Sequence, residues 1–165
     1  MADQLAESVA SLLRDHGKRV AVAEATACGL VMYRLGAVPG ASRYLIGGVV
    51  VYANTAKRGV LGVTDADLAQ GSVSAPAVQA MARRARELFG ADIGLADTGI
   101  AGPTGGGAER PIGLTYIALS APDANLWERH VFQGADRAAN QQHTADAVLD
   151  LLNRYLLSLP SQPSR

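Results

Sequence analysis

The stretch from Arg19 to Leu35 constrains the fold more than any other. An apolar run, Val20 to Ala23, ends at Glu24. Small residues follow, Ala25-Thr26-Ala27-Cys28-Gly29, and helix-like sequence runs from Leu30 to Leu35. The pattern predicts a buried strand that turns directly into a helix. Such a turn exposes backbone N–H groups at the helix start, and these attract anions and developing negative charge. Open α/β sheets hold their ligands at strand ends of this kind. The segment therefore reads as part of a functional site, although Ala25 and Ala27 offer no nucleophile.

The rest of the chain repeats the alternation of strand and helix. Leu5, Val9, Leu12 and Leu13 fall at helical spacing, which predicts a helix over 3–16 ended by Gly17. Val38 to Ser42 reads as a loop. A strand is expected from Tyr44 to Ala53, through Val49-Val50-Val51-Tyr52. Thr55 is expected to cap a short helix holding Lys57 and Leu61. Thr64 and Asp65 are expected to open another before Gly71. Ser74-Ala75-Pro76 opens a long helix to Phe89. Further strands are expected over 91–98, 111–121 and 127–132, and a last helix from Asp136 with Val148, Leu149, Leu152, Tyr155 and Leu156 on its apolar face. The expected fold is one α/β domain over 1–158, a three-layer α/β/α sandwich around a mixed sheet of about five strands, with 159–165 as a flexible tail.

Composition narrows the function classes. At 165 residues and 48% hydrophobic, the chain can bury one sizeable core. Lys+Arg and Asp+Glu balance at 15 each, so net charge supplies no footprint for nucleic acid or an anionic membrane. The single cysteine, Cys28, excludes an intrachain disulfide and fits a reducing cytoplasm. Asp3 and Glu7 make the N-terminus unlike a signal peptide. No apolar run approaches the length of a membrane span. A soluble cytoplasmic protein is the expectation.

Several segments could carry chemistry, each with a plain alternative. Thr98-Gly99-Ile100-Ala101-Gly102-Pro103-Thr104-Gly105-Gly106-Gly107 could ring a phosphate or carboxylate with backbone N–H groups, with hydroxyls from Thr98 and Thr104. It matches neither the dinucleotide nor the P-loop pattern, and a flexible connection between strands has the same composition. Lys57, five residues after Tyr52, could be desolvated at a strand end and act as a general base. A solvated surface lysine and a half-buried strand tyrosine are the alternatives. Cys28 at a helix start could be a nucleophile, or a small buried residue. Arg137 could bind a phosphate or lie in solvent. His16, His130 and His143 are too scattered for a metal site or a catalytic triad, so no metal and no cofactor are expected.

Taken in order, the segments resemble one family, the C-terminal domain of the competence/damage-inducible CinA proteins, which includes nicotinamide-nucleotide amidohydrolases. The resemblance covers nearly the whole chain. It rests on Ala23-Glu24, Pro39-Gly40-Ala41-Ser42, Gly47 to Lys57, Leu61-Gly62-Val63, Gly71 to Ser74, Thr98 to Gly106 with Pro111-Ile112-Gly113, and Phe132-Gln133-Gly134 with Asp136-Arg137. It implies hydrolysis of the carboxamide of nicotinamide mononucleotide to nicotinic acid mononucleotide and ammonia. A serine nucleophile, a lysine base and no metal are implied, in a homo-oligomer. Lys57 and Tyr52 match the base side. Glu24, Gly29, Thr98, Gly99, Gly102, Thr104, Gly105, Gly106 and Arg137 fall on the substrate side.

One departure stands out. The family's first motif reads Glu-Ser-Cys-Thr/Ser-Gly-Gly, and this chain has Glu24-Ala25-Thr26-Ala27-Cys28-Gly29. Ala25 occupies the serine position and Cys28 the first glycine. Thr26 and Cys28 are the conceivable replacement nucleophiles. A one-residue insertion, Ala135, precedes Asp136-Arg137 relative to a Gly-Asp-Arg pattern. Three readings follow. One is an amidohydrolase relative that is weak or inactive by the Ser/Lys route. Another is a non-catalytic module that binds a nucleotide or a partner. The third is a different reaction at Glu24 or Lys57 without a covalent intermediate.

Overall fold

The structure, a computed structural model, describes residues 3–134 and 136–160. Five strands, β1 (Val20–Glu24), β2 (Leu45–Val50), β3 (Ile93–Gly99), β4 (Leu114–Ala121) and β5 (Ala124–Val131), form one sheet in the order β2-β1-β3-β4-β5. β1 runs parallel to β2 and β3, while β3–β4 and β4–β5 are antiparallel, so the sheet is mixed. The helices are α1 (Gln4–Asp15), α2 (Leu30–Ala37), α3 (Asn54–Gly59), α4 (Ala75–Phe89) and α5 (Arg137–Ser158). Among the described residues, no helix is long and apolar enough to cross a membrane.

Alternation along the strands sorts the core into two layers. Val20 and Val22 of β1, with Leu95 and Ile117, pack under α1, α2 and α5, against Val9, Leu13, Val31, Leu35, Val148 and Leu152. Ala23, Ala96 and Ala118 face the other way, against Ala77, Val78, Met81 and Ala85 of α4 and the segment carrying Leu61 and Val63. The small residues on this second face let α4 lie close. A Cβ at Gly94 would sit 2.0 Å from the Ala82 carbonyl oxygen. Asp3, Ser74 and Asp136 each accept the N–H three residues on and cap α1, α4 and α5, worth about 1 kcal/mol apiece.

The architecture is the expected three-layer sandwich, and the departures are local. β2 starts one residue later than the apolar pattern, because Tyr44 is wholly buried with its hydroxyl donating to the Leu35 carbonyl at 2.7 Å. It also ends before Val51, where the chain bends into α3. Thr55 caps nothing, since α3 begins at Asn54 with no side-chain cap. Residues 64–71 form turns rather than a helix. Thr64 and Asp67 satisfy each other's backbone N–H groups, and Gly71 at φ +95° leads the chain away. Pro111 to Gly113 is a turn closed by the Leu114 N–H on the Pro111 carbonyl, so β4 starts at Leu114. β5 begins at Ala124, earlier than expected, because its hairpin with β4 extends to the pair Ala121–Ala124. Of the expected tail, residues 161–165 lie outside the described residues, as does Ala135.

Candidate functional site

The C-terminal ends of β1 and β3 are neighbours in the sheet, and each carries an acid, Glu24 and Asp97. Both are wholly buried. Glu24 shares strand parity with Val20 and Val22, and Asp97 with Ile93 and Leu95, so both project toward the layer of α2 and α5. The turn between β1 and α2 wraps around these two carboxylates. Asp97 accepts the N–H groups of Ala25, Thr26 and Ala27 at 3.2, 2.6 and 3.0 Å. Glu24 accepts those of Gly29, Val31 and Met32 at 2.8, 3.1 and 2.9 Å. The donors expected to be free for a ligand anion are therefore occupied by the protein's own anions. This corrects the simple expectation for the turn. A buried helix start needs an acceptor for each N–H, and two strand-end carboxylates supply them. Glu24, expected on the substrate side, spends both oxygens on the backbone.

The turn has an unusual backbone. Cys28 lies at φ +56° and Gly29 at φ +101°, and Cys28 is the one non-glycine with positive φ among the described residues. A side chain in the left-handed region costs roughly 1–2 kcal/mol, partly offset by the extra unfolded-state freedom of glycine. Cys28→Gly is accordingly expected to stabilise the fold by about 0.5–1 kcal/mol. Urea denaturation checks this, and a lower midpoint in the variant contradicts it. Cys28 itself is exposed on the turn. Thr26 is 4% exposed, with its N–H on Asp97 and its carbonyl accepting from Gln141 Nε2 at 3.0 Å. Its backbone is pinned on both sides. Ala25 is 5% exposed and packs with the α4-side core.

Three ionisable groups meet here. Burial, together with the Glu24 charge, pushes Asp97 up from 3.8 to about 7, against the pull of its three N–H donors. Burial likewise raises Glu24 against its own three donors. Lys57 lies in α3, a short helix as expected, and is only 3% exposed. Burial lowers its pKa, and the Asp97 charge opposes that shift. The Asp97 value has a consequence for stability. Between 3.8 and about 7 the folded chain holds a proton on Asp97 that the unfolded chain has lost. The contribution of this group to stability therefore falls as pH rises through that window, and is level above it. The expected result is that the difference in unfolding free energy between the native chain and Asp97→Asn shifts toward the variant as pH rises across the window. Denaturant titrations at stepped pH measure it. A difference that stays level would show that Asp97 titrates normally.

The first turns of α5 tie the remaining segments together. Arg137 donates to the Gly102 carbonyl at 2.8 Å and to the Tyr52 hydroxyl, with its guanidinium 6.0 Å from the Tyr52 ring centroid. Asn140, 3% exposed, donates to the Ala101 carbonyl at 3.0 Å and accepts the Gly134 N–H at 3.0 Å. Gln141 reaches Thr26, as above. A cavity of about 410 Å³ opens beside this clamp, lined by Ala101, Pro103, Ile112, Arg137 and Asn140 among others.

The glycine loop divides into two parts. Thr98 is 1% exposed and donates its hydroxyl to the Ser72 carbonyl at 2.8 Å, joining β3 to the loop before α4. A Cβ at Gly99 would lie 2.7 Å from the Leu114 carbonyl oxygen, so strand packing requires that glycine. Gly102 is held by Arg137. Thr104, Gly105 and Gly106 are exposed beyond it. The structure thus gathers Ala25, Thr26, Asp97 and Lys57 at the strand ends. It brings Tyr52, Arg137 and Gly102 together beside the cavity. Asp97, Asn140 and Gln141 were not singled out from the sequence. Asp97 had a signal, as the one charge inside the apolar run from Ile93 to Thr98. Asn140 and Gln141 had none, because polar residues at a helix start are ordinary.

The sequence model of the family described as CinA C-terminal domain matches residues 2–156. A CinA-like protein of Geotalea uraniireducens is 44% identical over 154 residues, 93% of this chain and 36% of that protein. A putative competence-damage inducible protein of Desulforamulus reducens is 43% identical over 155 residues, 93% of this chain and 37% of that protein. The chain spans little more than a third of the length of these relatives. Among solved structures, a competence-damaged protein (CinA) superfamily protein from Klebsiella pneumoniae superposes with a TM-score of 0.91 at 31% identity, over 96% of this chain and 99% of that one. The competence/damage inducible protein CihA from Agrobacterium tumefaciens superposes with a TM-score of 0.89 at 32% identity, over 94% of each chain. Family model, relatives and fold agree, and the chain belongs to the CinA C-terminal domain family.

Proposed function

We propose that this chain is a pyridine-nucleotide pocket of amidohydrolase ancestry in which hydrolysis of nicotinamide mononucleotide is weak or absent by the Ser/Lys route. The observation that carries the reading is Ala25. Its N–H is fixed on Asp97 at the end of β1, where the family pattern has serine, and Lys57 is buried near the same carboxylate. A serine hydrolase needs an oxygen nucleophile within reach of its base, and here the side chain ends at Cβ. In subtilisin, loss of the serine lowers kcat about a million-fold, and no retained lysine or glycine loop offsets such a loss.

Neither replacement nucleophile is well placed. Thr26 is almost enclosed, and its β-branch restricts χ1. Cys28 lies beyond Ala27 on the exposed side of the turn. The parts suited to holding a ligand are kept, namely Arg137 on Tyr52 and Gly102 beside the cavity. They support the second reading, a nucleotide-binding module whose ligand is a small nucleotide. A cytoplasmic homo-oligomer without a nucleic-acid or membrane partner completes the proposal.

Two measurements on the native chain test it. Ammonia release from nicotinamide mononucleotide is expected near background. Calorimetry with the same nucleotide is expected to show binding at up to millimolar ligand. Ordinary turnover that Thr26→Ala abolishes would overturn the inactive-site reading, and absence of binding would overturn the pocket.

A further inference from the structure

The chain's single tryptophan, Trp127, is 46% exposed on the edge strand β5. A large aromatic surface left in water marks a binding site when polar groups rim it. The β4–β5 register pairs Trp127 with Ala118 and Arg129 with Tyr116. Ala118 packs on the α4 side of the sheet, so Tyr116, Trp127 and Arg129 project to that side as well. The Tyr116 and Trp127 rings form a tilted pair with centroids 6.2 Å apart. Together they make an aromatic shelf beside the start of α4. The shelf lines a cavity of about 410 Å³ that shares no residue with the one beside Arg137. That volume falls within the range of small-molecule pockets, about 300–1,000 Å³.

Two arginines line the same cavity, Arg110 and Arg129. Arg110 is placed by the loop before α4. It donates to the Gln70 carbonyl at 2.6 Å, and a Cβ at Gly71 would lie 2.5 Å from its Nη1, so the guanidinium rests on that glycine. Neither arginine forms an ion pair among the described residues. Glu128, the acid of β5, points to the opposite face and is held by Arg154 at 2.6 Å and His130 at 2.9 Å. Glu109 lines the cavity without pairing to either arginine. Neither guanidinium covers the shelf, since the cation–π contacts among the described residues are Arg14 on Tyr44 and Arg137 on Tyr52. The cavity therefore combines an aromatic face with two positive charges and one negative, an excess of one positive charge.

We infer that this cavity is a second ligand site, for a planar aromatic ring that carries one carboxylate, with the ring on Trp127 and the carboxylate on Arg129 and Arg110. A flat ring stacks on the indole and removes its face from water. A guanidinium fork matches a carboxylate with two parallel charge-assisted bonds, each about twice as strong as a neutral one. One net positive charge suits a monoanion, and Glu109 repels a more highly charged ligand. The cavity is separate from the pocket of the proposed function, so its ligand does not depend on what stands at the serine position.

Calorimetry with naphthoate, its neutral amide and acetate, at one pH and ionic strength, tests this on the native chain. Naphthoate is expected to bind with a submillimolar Kd, and the amide and acetate at least about tenfold more weakly. Naphthoate is also expected to change the fluorescence of Trp127, the one indole in the chain. Arg129→Gln alters an exposed side chain and is expected to bring the acid within about threefold of the amide. Trp127→Leu is expected to lose both ring ligands. No naphthoate binding at millimolar concentration, equal affinity for acid and amide, or a tenfold preference that survives Arg129→Gln overturns the inference. Should Trp127→Leu lose its fold by circular dichroism, the native chain decides the ring's position, and naphthoate binding that leaves Trp127 fluorescence unchanged overturns it.

Discussion

Ala25→Ser is expected to raise ammonia release from nicotinamide mononucleotide by at least about 100-fold over the native chain. That is a small part of the million-fold that a serine nucleophile supplies in subtilisin. The gain is set well below that limit because the rest of the site was not built around this serine. The gain follows from position. The backbone at residue 25 is held by its N–H on Asp97 and by the next two N–H groups on the same carboxylate. A side-chain oxygen added there would leave a fixed point rather than a mobile loop. Lys57, with its pKa lowered by burial, is the group able to take the serine proton. Two features work against the gain. The N–H groups of the turn are engaged by Asp97 and Glu24, which limits the donors left for an oxyanion. Cys28 places a side chain on the left-handed corner of the turn. The double variant Ala25→Ser with Cys28→Gly is therefore the stricter form. Steady-state ammonia assays on the native chain, both variants and Ala25→Ser with Lys57→Met measure the effect. Activity unchanged in both serine variants, with nucleotide binding intact, would show that serine at position 25 does not meet a working base.

Asp97→Ala is expected to cost roughly 3–5 kcal/mol, because three buried N–H groups lose their acceptor together and each such loss costs about 1–3 kcal/mol. The ionisation penalty of the buried carboxylate disappears with it, which keeps the total below the simple sum. Against a domain stability of about 5–15 kcal/mol, the variant is expected to be partly unfolded at 37 °C. Asp97→Asn keeps one carbonyl oxygen and adds an NH₂ that faces N–H donors, so it is expected to be intermediate. Urea midpoints rank the chains. Asp97→Ala within about 1 kcal/mol of native would mean that water replaces the carboxylate on the turn. The two substitutions probe the same turn from opposite sides, Ala25 for chemistry and Asp97 for the shape of the turn.

The alternation of apolar runs with helical spacing specified the three-layer sandwich, because strand and helix periods are properties of the chain itself. Asp3, Ser74 and Asp136 cap three helix starts through contacts three residues away, and the helices they open were legible for the same local reason. Local signals misled where short elements depended on their surroundings. Thr55 and Thr64 have capping chemistry, but the chain at 54 and 64 takes its direction from what it packs against. The family was legible as ordered motifs.

The commitments of the polar groups were not legible, because they depend on partners far away in sequence. Asp97 meets a turn some seventy residues earlier, and Gln141 reaches Thr26 from α5 across 115 residues. The strand-to-helix turn at residues 25–29 could be recognised from its small residues alone. That its N–H groups are filled by two buried carboxylates follows only from the packing of β1 against β3 and of α5 over both.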